Sequence, residues 1–218
     1  MLELTLPAVS RRATRLLCLG AHCDDIEIGC GGTLLRLLAG GGRWDVTWAV
    51  LSSDQRRERE LRSSARHFLR RAAHSRVLAY EFRDSYFPGE YTAIKNTFAA
   101  LKGLPPPDLV FTHHRGDLHQ DHRLVGELTW NAFRRHLILE YEIPKYEGGL
   151  TTPNAYVRLT PGQAAAKTRI LLASYASQRS KPWFQKDTFD ALMRLRGIEA
   201  GASSGWAEGF HISKLVLA

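Results

Sequence analysis

Two stretches concentrate the side chains able to hold a metal ion and move protons. His22, Asp24 and Asp25 form one; His113, His114, Asp117, His119, Asp121 and His122 form the other, far along the chain. Imidazoles and carboxylates at this density suit metal-assisted hydrolysis, because two histidines and one carboxylate can hold a divalent ion and leave a position for water. His22, Asp25 and His122 can supply that set. Asp24, beside a ligand in sequence, is placed to take a proton from the attacking water as general base. His119 can stabilise an oxyanion or donate to a leaving nitrogen, and Asp121 can fix the tautomer of a neighbouring imidazole. Plainer roles compete. Asp24, Asp25 or Asp121 alone could cap a helix, and scattered histidines such as His67, His74, His136 and His211 are expected to be plain surface or satisfied side chains.

Such groups need a scaffold that delivers two distant loops to one edge. Arg15 to Ala21 reads as a buried strand, followed by a glycine-marked turn and an apolar helix from about Thr33 to Ala39. Strands are expected at 45–52, 76–82, 108–113 and 137–143, separated by helices at 56–71, 92–102 and 121–136. The alternation predicts an α/β fold, with a mainly parallel sheet between helices on both faces. In such sheets ligands bind beyond the carboxyl ends of the strands. Both reactive stretches directly follow predicted strands, the first and the fourth. The remainder reads as a strand at 155–159, helices at 161–177 and 185–195, and a closing strand at 211–217.

The chain of 218 residues reads as a single domain, 1–218, with a core over about 15–143 and a less regular, specificity-bearing region over about 144–218. Its 44% hydrophobic and 24% charged residues are ordinary for a globular protein, and no apolar run is long enough for a membrane span. Cys18, Cys23 and Cys30 form no Cys-x-x-Cys pair, which points to reduced thiols in a cytoplasmic protein. Near the N-terminus, Arg11, Arg12 and Arg15 precede an apolar run too short for a secretory signal. The net charge of +8 does not predict a nucleic-acid partner: the densest run, Arg56-Arg57-Glu58-Arg59-Glu60, interleaves acids as a solvated helix face does.

The segment Ala21-His22-Cys23-Asp24-Asp25-Ile26-Glu27-Ile28-Gly29-Cys30-Gly31-Gly32-Thr33 resembles the A-H-P-D-D-x-x-x-G-x-G-G-T signature of the LmbE/PIG-L de-N-acetylases, and His119-Gln120-Asp121-His122 resembles their H-x-D-H. Arg57, Glu60 and Ala65, Tyr175 to Gln178 and Ala207 to Phe210 extend the likeness over most of the chain. The resemblance implies a Rossmann-like three-layer sandwich whose active site lies at the C-terminal ends of the strands. It implies one Zn2+ per chain, replaceable by other divalent ions, on His22, Asp25 and His122. Asp24 would be the general base, His119 the acid or oxyanion partner, and Asp121 the group tuning His119. Arg57 and Asp84 would lie near substrate hydroxyls. The implied reaction removes an acetyl group from the nitrogen of an amino sugar or glycoconjugate, in a protein whose relatives often assemble as homo-oligomers.

Cys23 departs from that signature, standing where proline is usual. Losing proline loosens the loop between ligand and base, and a thiol there is a further possible ligand. Gly29, Gly31 and Gly32 weakly suggest a dinucleotide fingerprint, but acidic residues intervene where a pyrophosphate would approach; they are expected to let the loop fold tightly behind the ligands. Trp44, Trp48 and Trp130 are expected in the core, whereas Trp183 and Trp206 could pack or stack on a sugar. Two rivals share the donor set: a non-haem iron oxygenase, and a metal- or sugar-binding module without turnover.

Overall fold

The computed structural model describes residue 3 and residues 12–216, so Arg11 and Leu217 lie outside the described residues. The chain alternates β1 (Thr14–Gly20), α1 (Asp25–Ala39), β2 (Trp44–Val50), α2 (Gln55–Phe68), β3 (His74–Ala79), α3 (Tyr91–Lys102), β4 (Leu109–His113), α4 (Gln120–Ala132) and β5 (Leu137–Tyr141). It continues through β6 (Ala155–Arg158), α5 (Pro161–Ser174), α6 (Lys186–Glu199) and β7 (Ala207–His211). The seven strands lie in the order β3-β2-β1-β4-β5-β7-β6. β1 to β5 are mutually parallel, and β7 runs antiparallel between β5 and β6.

Side chains alternate across a pleated strand, so each strand feeds two cores. Leu16 and Cys18 of β1, Trp48 of β2, Phe111 of β4 and Tyr141 of β5 pack with residues from α1, α2, α5 and α6. Leu17 and Leu19, Ala49, Val110 and Ile138 face the opposite way, onto Ile94 and Phe98 of α3 and Leu124 and Leu128 of α4. The result is a three-layer α/β/α sandwich. The chain leaves β1 towards β2 and β3, then returns to place β4 on the other side of β1. That reversal opens a crevice between the two loops that carry the reactive residues.

Two elements differ from expectation. α1 begins at Asp25 rather than near Thr33, so the glycines lie inside the helix and not in a loop. They answer to close packing: a Cβ on Gly29 would fall 2.2 Å from the Tyr141 ring, and one on Gly32 2.5 Å from Leu159. The last strand lies at Ala207–His211 rather than 211–217, because Ala207 to Phe210 are buried while 213–216 are exposed. Glu208 in that strand accepts hydrogen bonds from the Gly32 and Thr33 N–H groups of α1 and from Lys167 of α5, tying three elements together. Trp44 and Trp48 are core residues, whereas Trp130 is half-buried and donates to Glu140 at 2.6 Å. Trp183 and Trp206 pack against hydrophobic clusters.

Candidate functional site

β1 delivers Ala21 to Asp24 and the first turn of α1; β4, adjacent and parallel, delivers 114–119 and the first turn of α4. Three groups from these loops converge. His22 Nδ1 lies 3.2 Å from His122 Nε2 and 3.4 Å from Asp25 Oδ2, and His122 Nε2 lies 3.5 Å from Asp25 Oδ1. Asp25 is fixed by the His22 N–H, which donates to Oδ2 at 2.6 Å.

These donors fit a divalent ion. Four-coordinate zinc with bonds of about 2.0–2.2 Å holds its ligand atoms roughly 3.3–3.5 Å apart, close to the separations observed. Burial and the neighbouring His113 push His122 down to about 3, leaving the neutral imidazole that a metal requires. His22 is drawn the other way: burial lowers its pKa, but Asp121, Asp25 and Asp84 outweigh burial and favour positive charge at this ring. The carboxylates of Asp24, Asp25, Asp84, Asp117 and Asp121 crowd the centre, while Arg57 and Lys145 are the fixed cations paired with them. A divalent ion would balance that excess.

Asp24 sits at the N-cap position of α1 yet makes no capping bond. Its Oδ1 accepts from Arg57 Nη2 at 3.1 Å, and its Oδ2 is buried without a partner. An unsatisfied buried carboxylate oxygen is costly, which marks this atom as one that awaits a donor. Burial raises the Asp24 pKa and Arg57 opposes the rise. His119, not Asp121, caps α4: its Nδ1 accepts the Asp121 N–H at 3.3 Å. The proton of the neutral ring is thereby left on Nε2. That ring stacks on His122 at 4.5 Å and meets His22 edge-on at 5.1 Å.

The expected partner of Asp121 is a point of difference. Its Oδ2 lies 3.3 Å from His22 Nε2, so it faces His22 rather than the His119 ring. The Ser85 and Phe87 N–H groups hold it there, because the loop after β3 folds over the start of α4. Asp84 Oδ1 also reaches His22 Nε2, at 3.1 Å. Arg57 pairs with Asp24 and lies 3.4 Å from Ser177 Oγ, whose backbone N–H is held by Glu60 at 2.9 Å. Both residues expected near substrate hydroxyls are therefore engaged by the centre itself.

Four supporting residues, Asp117, Lys145, His113 and Tyr175, carried no assigned role in the sequence. Asp117 Oδ2 is 3.2 Å from His122 Nδ1 and receives Lys145 Nζ at 2.7 Å, while Oδ1 accepts the His119 N–H at 2.8 Å. His113 stacks on His122 at 4.0 Å and brings Nε2 to 3.0 Å from Asp25 Oδ2. Asp117 and His113 stood within the dense second stretch, so their type was visible; nothing in the spacing links Lys145 to them. Tyr175 donates to the Cys23 carbonyl from beneath the loop, and its hydroxyl lies 2.6 Å from Glu27, which burial pushes up to about 8. Tyr175 thus supplies a tether for the loop at the position where proline is usual. The Cys23 thiol turns to the Ser52 carbonyl at 3.5 Å, and burial raises it to about 11, so it stays protonated and apart from the donors.

Comparison with known proteins gives consistent likenesses. A family model described as PIG-L, GlcNAc-PI de-N-acetylase, matches residues 17–133, more than half of the chain. An uncharacterized deacetylase, YaiS of Escherichia coli strain K12, is 30% identical over 156 residues, spanning 66% of this chain and 82% of its own. The conserved protein TT1542 from Thermus thermophilus superposes with a TM-score of 0.70 at 22% identity, covering 93% of this chain and 96% of its own. The N,N'-diacetylchitobiose deacetylase from Pyrococcus horikoshii gives a TM-score of 0.63 at 20% identity, covering 92% and 84%.

Proposed function

Given that the chain belongs to the GlcNAc-PI de-N-acetylase (PIG-L) family of deacetylases, we propose that it is a zinc-dependent hydrolase releasing acetate from an N-acetylated amino sugar or sugar conjugate. The observation that carries this reading is the unpartnered Asp24 Oδ2, buried beside the His22, Asp25 and His122 donors. His22, Asp25 and His122 would hold the ion, which supplies Lewis acidity towards the amide carbonyl and lowers the pKa of water.

The chain's own groups account for the proton movements. Asp24 Oδ2 takes a proton from the water that attacks the amide carbon, and the Arg57 ion pair favours the ionised form of Asp24 against burial. His119 donates a hydrogen bond from Nε2–H to the developing oxyanion, and Asp24 passes the proton it has taken to the departing nitrogen. Asp117 accepts from His122 Nδ1–H, which leaves Nε2 as the ligand atom. The amine leaves with a proton, and the acyl group leaves as a carboxylate. Substrate hydroxyls would meet the loop bearing Asp84, whose side chain is 70% exposed. The fold contains no described helix long and apolar enough to cross a membrane, which suits the cytoplasmic placement we favour.

Metal analysis of the wild type and His122→Ala, paired with acetate release from N-acetylated sugars, tests the proposal. One equivalent of zinc lost in the variant, with acetate released by the wild type alone, is expected. Metal-free wild type would overturn it; bound metal without acetate from any sugar would replace it with a binding role.

A further inference from the structure

A cavity of about 310 Å3 opens where β1, β2 and β3 begin, at the opposite end of the strands from His22 and His122. Parallel strands covered on both faces are ordinarily apolar. Here the face towards α3 carries charge instead. Arg15 pairs in register with Asp45, and Asp45 with His74; two residues further along, Leu17 pairs with Thr47, and Thr47 with Arg76. Leu17 packs under α3, so alternation along the strands sends these six side chains to one face. α3 stops at Lys102 and the chain passes Pro105 and Pro107 on its way to β4, so Leu101 and Leu104 border the cavity without filling it.

Among the described residues, no hydrogen bond or ion pair engages the side chains of Arg15, Asp45, Thr47, His74 or Arg76. Asp108 accepts the Arg15 backbone N–H, but its carboxylate is taken by the Arg12 guanidinium at 2.6 Å. Two guanidiniums and an imidazole thus line the cavity against the single carboxylate of Asp45. Arg15 is half-buried at its inner end, whereas His74 and Arg76 are exposed at its mouth.

We propose that this cavity is a binding site for a small phosphate monoester, independent of the metal centre. Arg15 and Arg76 stand on strands separated by β2, which puts their Cα atoms roughly 10–12 Å apart and lets the two forks close on one ligand from both sides. A tetrahedral phosphate offers three terminal oxygens to two forks and the His74 ring, whereas one fork already fills a planar carboxylate. Asp45 and Thr47, between the arginines, meet a hydroxyl of the ester's body, and Leu17, Leu101 and Leu104 take its apolar face. The volume lies at the low end for small-molecule sites, which limits that body to about one sugar or aryl ring.

Isothermal titration calorimetry at physiological salt tests the site on wild type, Arg15→Gln, Arg76→Gln and Arg66→Gln. The probes are inorganic phosphate, phenyl phosphate and glucose 6-phosphate, with glucose as the uncharged control. One ester per chain is expected on the wild type, bound more tightly than inorganic phosphate, with no heat from glucose. Arg15→Gln and the exposed Arg76→Gln should each weaken the ester by about tenfold or more, the scale of a lost hydrogen bond to a charged group. Arg66→Gln, on the exposed face of α2, should bind as wild type does, since salt screens distant charges. Binding that survives Arg76→Gln puts the phosphate elsewhere, the metal centre included, and overturns the site. An equal loss in Arg66→Gln reduces the effect to overall charge and overturns it too, as does the absence of binding by either ester at millimolar concentration.

Discussion

Asp117 Oδ2 lies 3.2 Å from His122 Nδ1 and 2.7 Å from Lys145 Nζ, so one carboxylate joins a proposed metal ligand to a lysine of the chain's last third. Burial would raise the Asp117 pKa, but His122 and Lys145 hold it below the ordinary carboxylate value, so it remains an acceptor at neutral pH. Asp117→Asn should weaken zinc binding by about 10- to 100-fold, the usual cost of losing a carboxylate behind a ligating histidine. Competition with a chromophoric chelator measures this, and unchanged affinity would show that His122 is oriented by packing alone.

Asp24→Asn keeps shape and removes the base. We expect kcat to fall by roughly a hundred- to ten-thousand-fold while zinc content stays at the wild-type level. Loss of zinc in this variant would instead make Asp24 a ligand.

Gly29 and Gly89 form a steric contrast. Alanine at Gly29 must displace the Tyr141 ring, which is pinned by its hydroxyl donating to the Leu19 carbonyl at 2.6 Å, so Gly29→Ala should cost about 1–3 kcal/mol or more. Gly89 has open space around the added carbon, and Gly89→Ala should fall within about 0.5 kcal/mol of wild type. Urea denaturation of both variants compares them directly.

The stacked pair His114 and His211, with ring centroids 4.0 Å apart, predicts a pH effect on stability. Burial and His114 lower the His211 pKa from 6.5 to about 4. The unfolded chain thus takes up a proton before the folded one, so this stability is present above pH 6.5 and is lost as pH falls through 4. His211→Phe keeps a ring against His114 but cannot titrate, and its melting temperature should drop less than that of wild type between pH 7 and 4. Parallel curves would discard the explanation.

By itself the sequence determined the chemical types available and the edge of the sheet to which they belong. His22, Asp24 and Asp25 follow one apolar strand and His119, Asp121 and His122 follow another, and alternating strand and helix periods are enough to place both ends together. Only the tertiary structure decided which groups touch. It placed Asp121 against His22, Arg57 on Asp24 and Lys145 behind Asp117, and it buried Gly29 against Tyr141 inside a helix that the spacing alone began too late. The physical reason is range: periodicity reports which face of an element is apolar, over one or two turns of chain. Pairings between elements depend on register, loop path and ångström-scale clearance, which arise only when the whole sheet and its two helical layers pack.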